Sequence, residues 1–223
     1  MKIIKCFFLF FAFTSAVFAQ KFNQFDTNGK RHGKWQKKHE NTDVLRYEGE
    51  FLHGKEIGLF KFYKNYRNKA VLSATKQFNA NNNIAEVKFF TSKGKLVSEG
   101  QMDGKTYIGT WKYYQKHNDN LLALENYNNQ GQLNEERFVY YPNEQIAEKQ
   151  TYVDGELHGE SVWYSENNII VKSYVYENDE LHGKAEFFNG KGELVCEGSY
   201  KRDKKHGVWK YYENGKLVKQ ENF

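Results

Sequence analysis

The stretch ELHGKAEFFNGKGELVCEGSYKRDKKHGVWKYYENGKLVKQENF, from Glu180 to Phe223, says one thing twice. His182-Gly183 and His206-Gly207 stand 24 residues apart, and so do the aromatic doublets Phe187-Phe188 and Tyr211-Tyr212. GELVCEGSY from Gly192 and GKLVKQENF from Gly215 are one motif. A fixed period of this length is the mark of a repeat architecture. Upstream, His158-Gly159 falls in phase, and five more doublets appear: Phe62-Tyr63, Phe89-Phe90, Tyr113-Tyr114, Tyr140-Tyr141 and Trp163-Tyr164. GKLVSEGQM from Gly94 is a clear copy of the second motif, and EQIAEKQTY from Glu144 and NIIVKSYVY from Asn168 are worn ones. Eight units fit between about Phe22 and Phe223, the first with Lys37-Lys38 in place of its doublet.

Each unit holds two short strands. The first runs from the histidine-glycine turn to the doublet, as in HGVWKYY, and the second is of the type KLVKQENF. That is a β-hairpin, with Gly and Asn where the chain needs positive φ. Alternation along a strand sets the faces. Trp209 goes with Tyr211, Phe60 with Phe62 and Trp111 with Tyr113. In the second strands Leu194, Cys196, Gly198 and Tyr200 share a face, as do Leu45, Tyr47, Gly49 and Phe51. One face is therefore aromatic and glycine-spaced, the other mixed polar, and a glycine opposite a ring lets the ring lie flat on backbone. A lone hairpin cannot bury such a face, but stacked hairpins can. The expectation is an all-β protein: an elongated, single-sheet antiparallel β-hairpin solenoid. Its sixteen strands would make a twisted ribbon roughly 75 Å long.

Composition agrees. Tyr and Phe, 16 and 18 of the 223 residues, favour strands, and aromatics at 17% set the chain apart from disordered sequences. Residues 1–19 are a different text. Lys2 and Lys5 precede an apolar run from Cys6 to Phe13, and Val17-Phe18-Ala19 reads as a cleavage site before Gln20. A secretory signal peptide is expected over 1–19 and the repeat array over 20–223, so the protein is exported, to the periplasm or beyond. Loss of the signal lowers the net charge from +5 to +3, which argues against a nucleic-acid binder. Cys196 is then the only cysteine, so an internal disulfide is excluded.

RYEGEFLHGKEIGLFKFY from Arg46 to Tyr63 resembles a MORN repeat, with Tyr47, Glu48, Gly49 and Phe51 followed by Gly54-Lys55 and Gly58. SEGQMDGKTYIGTWKYY from Ser98 and CEGSYKRDKKHGVWKYY from Cys196 repeat the pattern, and the rhythm is similar to the bacterial YwqK-family antitoxin-component repeats. The resemblance implies a curved single-sheet solenoid of about eight MORN-like repeats that acts as a scaffold, binds partner proteins or meets membranes. The antitoxin resemblance implies a partner toxin.

His158, His182 and His206 would lie about 9.6 Å apart in successive hairpins, whereas a shared metal needs ring nitrogens at ~2 Å. Long side chains would have to converge, no carboxylate sits in phase with all three, and metal binding or catalysis is the alternative to a turn role. They read as turn residues. No catalytic residue, metal ligand or cofactor site is assigned, and the protein is expected to be a non-enzymatic monomer. Its partner would be a protein, or a glycan or anionic envelope surface met by exposed rings and by the basic clusters at Lys30 and Lys201. The place singled out for docking follows from ring size. The position two residues after the turn glycine is large at Trp35, Phe60, Trp111, Phe138 and Trp209, but small at Ser161 and Ala185. Beside Trp163 and Phe187 this would leave a dent walled by Phe138 and Trp209, a concave apolar site, unless Trp163 and Phe187 lean in and close it.

Overall fold

The computed structural model describes residues 21–223; the expected signal peptide, its cleavage point before Gln20, and Cys6 lie outside the described residues. Among the described residues all regular structure is β, in one 17-stranded sheet. The strands are β1 (Gln24–Phe25), β2 (Arg31–Lys38), β3 (Leu45–Leu52), β4 (Lys55–Tyr66), β5 (Lys69–Phe78), β6 (Ile84–Phe90), β7 (Leu96–Asp103), β8 (Thr106–Tyr114) and β9 (Leu121–Tyr127). They continue with β10 (Glu135–Tyr140), β11 (Ile146–Val153), β12 (Glu156–Tyr164), β13 (Ile170–Glu177), β14 (Glu180–Phe188), β15 (Leu194–Lys201), β16 (Lys204–Glu213) and β17 (Lys216–Asn222). Each strand pairs antiparallel with its neighbour in the chain, from β1–β2 to β16–β17, so the sheet is an open meander. The sixteen expected strands are present, with the two-residue β1 added at the amino-terminal end.

The hairpin turns lie elsewhere than expected. Two-residue connections such as Asp154-Gly155, Asn178-Asp179, Arg202-Asp203 and Asn214-Gly215 have positive φ at both positions, the geometry that matches strand twist. His158-Gly159, His182-Gly183 and His206-Gly207 sit inside β12, β14 and β16. There the ladder breaks. Between β15 and β16 the pairing jumps from Glu197↔Lys210 to Ser199↔His206, so Gly198 alone faces three residues, and Gly207 takes a φ of 67° to allow it. The glycine after histidine thus marks a bulge rather than a turn.

A second bulge falls at nearly every doublet, as between Phe187 and Phe188, and the extra residue sits on the second strand. Val97, Leu122, Val171 and Val218 are these residues, and their exposure follows from it. Bulges bend a strand and increase its twist, so two per hairpin coil the ribbon along its length.

Burial comes from rings lying across glycines. Phe60, Trp111 and Trp209 are at most 1% exposed. A Cβ on Gly49, Gly100 or Gly198 would stand 2.4, 2.5 or 2.2 Å from the ring above it. The Trp111 and Trp209 indoles donate to the carbonyls of Gln101 and Ser199, the residues after those glycines, at 2.9 and 3.1 Å. Each ring is thereby held flat, with its one polar atom satisfied.

Candidate binding surface

Cross-strand partners define rows that run along the ribbon. On the aromatic face one row reads Phe62, Ala74, Phe89, Ser98, Tyr113, Ala123 through β4–β9. Rings alternate with small residues, and Ala74, Ser98 and Ala123 are buried beneath them. Past β10 the same row reads Glu148, Trp163, Lys172, Phe187, Cys196, Tyr211, Lys219. Here rings alternate with charges and one thiol, and Trp163, Phe187 and Tyr211 remain half-buried. The rings are half-buried in both halves, Phe62, Phe89 and Tyr113 as much as Trp163, Phe187 and Tyr211. What changes is the spacer, buried and small in the amino-terminal half, charged or a thiol in the carboxy-terminal half.

Two lysines lie over rings in this half of the face. Lys172 Nζ lies 4.4 Å above Trp163 and 5.4 Å from the Tyr174 ring. Lys205 Nζ lies 4.2 Å from Trp209 and 4.7 Å from Phe223. Among the described residues neither lysine pairs with a carboxylate. The acids of the face are engaged: Glu221 with Lys219 at 2.6 Å and with the Tyr211 hydroxyl at 3.1 Å, Glu148 with Arg137 at 3.8 Å. Burial raises the Cys196 thiol above its ordinary value, which makes it a slow nucleophile.

The structure rearranges the residues expected to frame a dent. Phe138 pairs with Lys149 and Leu124 on the polar face, where it stacks on Tyr140, so it walls nothing here. The bulge residue of its hairpin is Glu135, with a φ of 67°, and the residue two places on is Arg137 rather than Phe138. Trp209 is buried over Gly198 as Phe60 and Trp111 are over Gly49 and Gly100. Ser161 and Ala185 do lie together on the aromatic face, each 0% exposed. The concavity expected above them is filled, and by Tyr174 rather than by Trp163 and Phe187 leaning in. Tyr174 lies across from both small residues and makes edge contacts with Trp163, Phe187 and Tyr200 at 5.5, 5.6 and 6.2 Å. It occupies the slot that holds Gly198 one hairpin on, and Gln150 occupies it one hairpin back. Laying KSYVY over CEGSY shows the exchange: ring below and glycine above become small residue below and ring above.

Arg137 builds a polar island next to these residues. It donates to Glu125 at 3.1 Å and to the Gln150 side chain at 3.1 Å. Tyr152 also donates to Gln150, and Tyr127 to Glu125. Burial and the Glu125 contact push Tyr127 up to about 12. The Ser161 hydroxyl is buried with no partner. On the polar face Tyr63, Tyr114 and Tyr212 donate to Glu48, Glu99 and Glu197, which accounts for the recurrence of Glu before Gly and of Tyr as the second member of the doublet. His158, His182 and His206 do not converge; among the described residues no three His, Cys, Asp or Glu side chains gather where an ion could sit. Asp26, held at about 2 chiefly by the His53 contact at 2.7 Å, anchors the first turn.

Comparison with known proteins fits this geometry. Residues 136–154 and 205–223 match the model of the MORN repeat variant, and they are the hairpins β10–β11 and β16–β17. No curated protein matches the chain. Among solved structures a mutant of TarM from S. aureus, in complex with fondaparinux, α-GlcNAc-glycerol and UDP, matches at 9% identity and a TM-score of 0.27. The match covers 55% of this chain and 20% of that one. The chain therefore carries MORN-variant hairpins at two places in an all-β repeat array.

Proposed function

We propose that this is an exported, non-enzymatic binding protein whose working surface is the aromatic face of β12–β17. The observation that carries the reading is the change along one row of that face. Half-buried rings spaced by buried small residues give way to half-buried rings spaced by Lys172, Cys196 and Lys219, with Lys172 and Lys205 placed over rings and paired with no carboxylate among the described residues. A face built only for stability would continue the first pattern, because a small apolar spacer is buried at no cost whereas an ammonium group must stay hydrated. The side chains offered there are rings, ammonium groups and a thiol of raised pKa, a set suited to holding a partner rather than to transforming one. Export rests on the order of residues 1–19 and requires a mature amino terminus at Gln20.

Phe187 and Phe188 supply the test, since they are adjacent and point to opposite faces. A photo-crosslinking residue is placed at one or the other in the native host. Adducts are expected from position 187 and not from 188. Adducts from 188 alone, or from neither, would remove the proposed surface, and mature protein that retains Met1 would remove export.

A further inference from the structure

We propose that the ligand of this surface is a linear polysaccharide bearing carboxylates, laid along Trp163, Phe187 and Tyr211 with its acids toward Lys172 and Lys205. The inference rests on the proposed function above and names the class of partner.

Three observations converge on it. The first is spacing. Successive rings of the row belong to alternate strands, so they repeat every two strand spacings, about 9.6 Å, a length comparable with a disaccharide. A sugar ring presents an apolar face of C–H groups, which suits an aromatic platform, and a repeating polymer meets each platform in the same way. The second is charge. The cations of the face outnumber its free acids, because Glu148 and Glu221 are already paired while Lys172 and Lys205 are held over rings. A neutral glycan would leave both ammonium groups unused. The third is what the face withholds. Every strand from β12 to β16 is paired on both sides, so a peptide could add as a strand only at the β17 edge, beyond Trp163, Phe187 and Tyr211. The one dent that might seat a side chain is filled by Tyr174. A single-stranded nucleic acid would stack on the rings, but its affinity depends on a denser track of cations than two lysines.

The test uses the full exported protein in affinity electrophoresis through polygalacturonate or hyaluronan, with dextran as the neutral control. Retardation is expected in both acidic polymers and absent in dextran. Trp163→Ala and Tyr211→Ala should each weaken binding about tenfold, the change for ~1.4 kcal/mol of lost stacking. The double variant Lys172→Gln/Lys205→Gln should weaken it further and flatten its dependence on salt. Phe188→Ala, on the other face, should bind as the parent does. Cys196 lies in the row between Phe187 and Tyr211, so bound polymer should slow its alkylation. Circular dichroism and melting of each variant separate lost binding from lost fold.

Absence of retardation in both acidic polymers would overturn the proposal. Equal binding of polyglutamate would reduce it to bare charge attraction, and stronger binding of oligothymidine or phosphatidylglycerol vesicles would reassign the surface. Unchanged affinity in the ring variants would overturn it as well. If the polymers fail while position 187 still crosslinks to a protein, the glycan assignment falls and the binding surface stands; if 187 gives no adduct, both fall.

Discussion

Gly198 is defined by the ring above it. Its φ is not positive, so no backbone preference asks for glycine there; the Trp209 ring does, since a Cβ would meet it at 2.2 Å. Gly198→Ala must push a fully buried indole off its seat and stretch the bond to Ser199. A loss of ~1–3 kcal/mol is expected, as for other overpacked cores. Gly190 is the matched control, with open space around it and no positive φ. Gly190→Ala should be neutral or slightly stabilising, because it only restricts the unfolded chain. Urea denaturation of the two variants checks the contrast, and similar losses in both would mean that the ring is not seated on Gly198.

At the scale of the hairpin, side-chain volume is traded between facing strands. Ala185→Trp alone places a large ring under Tyr174 and should destabilise the array by ~1–3 kcal/mol. Adding Tyr174→Gly recreates the arrangement of Gly198 and Trp209, so the double variant should recover a good part of the loss. A non-additive cycle between these positions is the expected readout, and simple additivity would show that they do not share the space. The Tyr–Glu pairs of the polar face predict a response to base. Burial first, and the hydrogen bond to Glu48 or Glu99 second, push Tyr63 and Tyr114 up to about 12. Their folded-state values are raised, so the stability they contribute is complete below pH ~10, the ordinary tyrosine value, and is lost as pH rises toward 12. Ultraviolet difference titration should show a late-ionising group among the 16 tyrosines, smaller in Tyr63→Phe. One common transition near pH 10 would contradict the pairs.

The whole molecule has a seam. Between β9 and β10 the ladder shrinks to Phe138↔Leu124 and Val139↔Ala123, whereas flanking ladders are much longer. Side chains reinforce it: Arg137 reaches Glu125 across the gap, and Asn126 Nδ2 donates to the Glu136 carbonyl at 2.8 Å. A stacked array is held by its nearest-neighbour contacts, and its cooperativity breaks where they are weakest. Arg137→Ala leaves Glu125 and Gln150 without their common partner and loosens the seam. Hydrogen exchange should then resolve β1–β9 and β10–β17 as two opening units, with the 128–134 connection as the first site of limited proteolysis. Uniform opening of the variant would mean that coupling across the seam does not depend on Arg137. The seam is also where the spacers of the aromatic row change from small residues to charged ones.

The period of 24 residues, the doublets and the EG motifs determined the class of fold, the antiparallel hairpins and the polar and aromatic faces, because alternation and turn chemistry act between residues close in the chain. Phe60, Trp111 and Trp209 opposite glycine were legible for the same reason. What lay beyond the sequence was the register. Glu135 takes the positive φ that glycine takes in other hairpins; this one-residue offset sends Phe138 to the polar face and puts Arg137 on the aromatic one. The histidine-glycine pairs looked like turns because glycine serves a bulge as well as a turn, and only the ladder distinguishes them. The filling of the space above Ser161 and Ala185 was likewise decided by tertiary structure. Whether a small residue leaves a dent depends on the strand lying beside it, and Tyr174 was identified as its cover only once the two strands were paired.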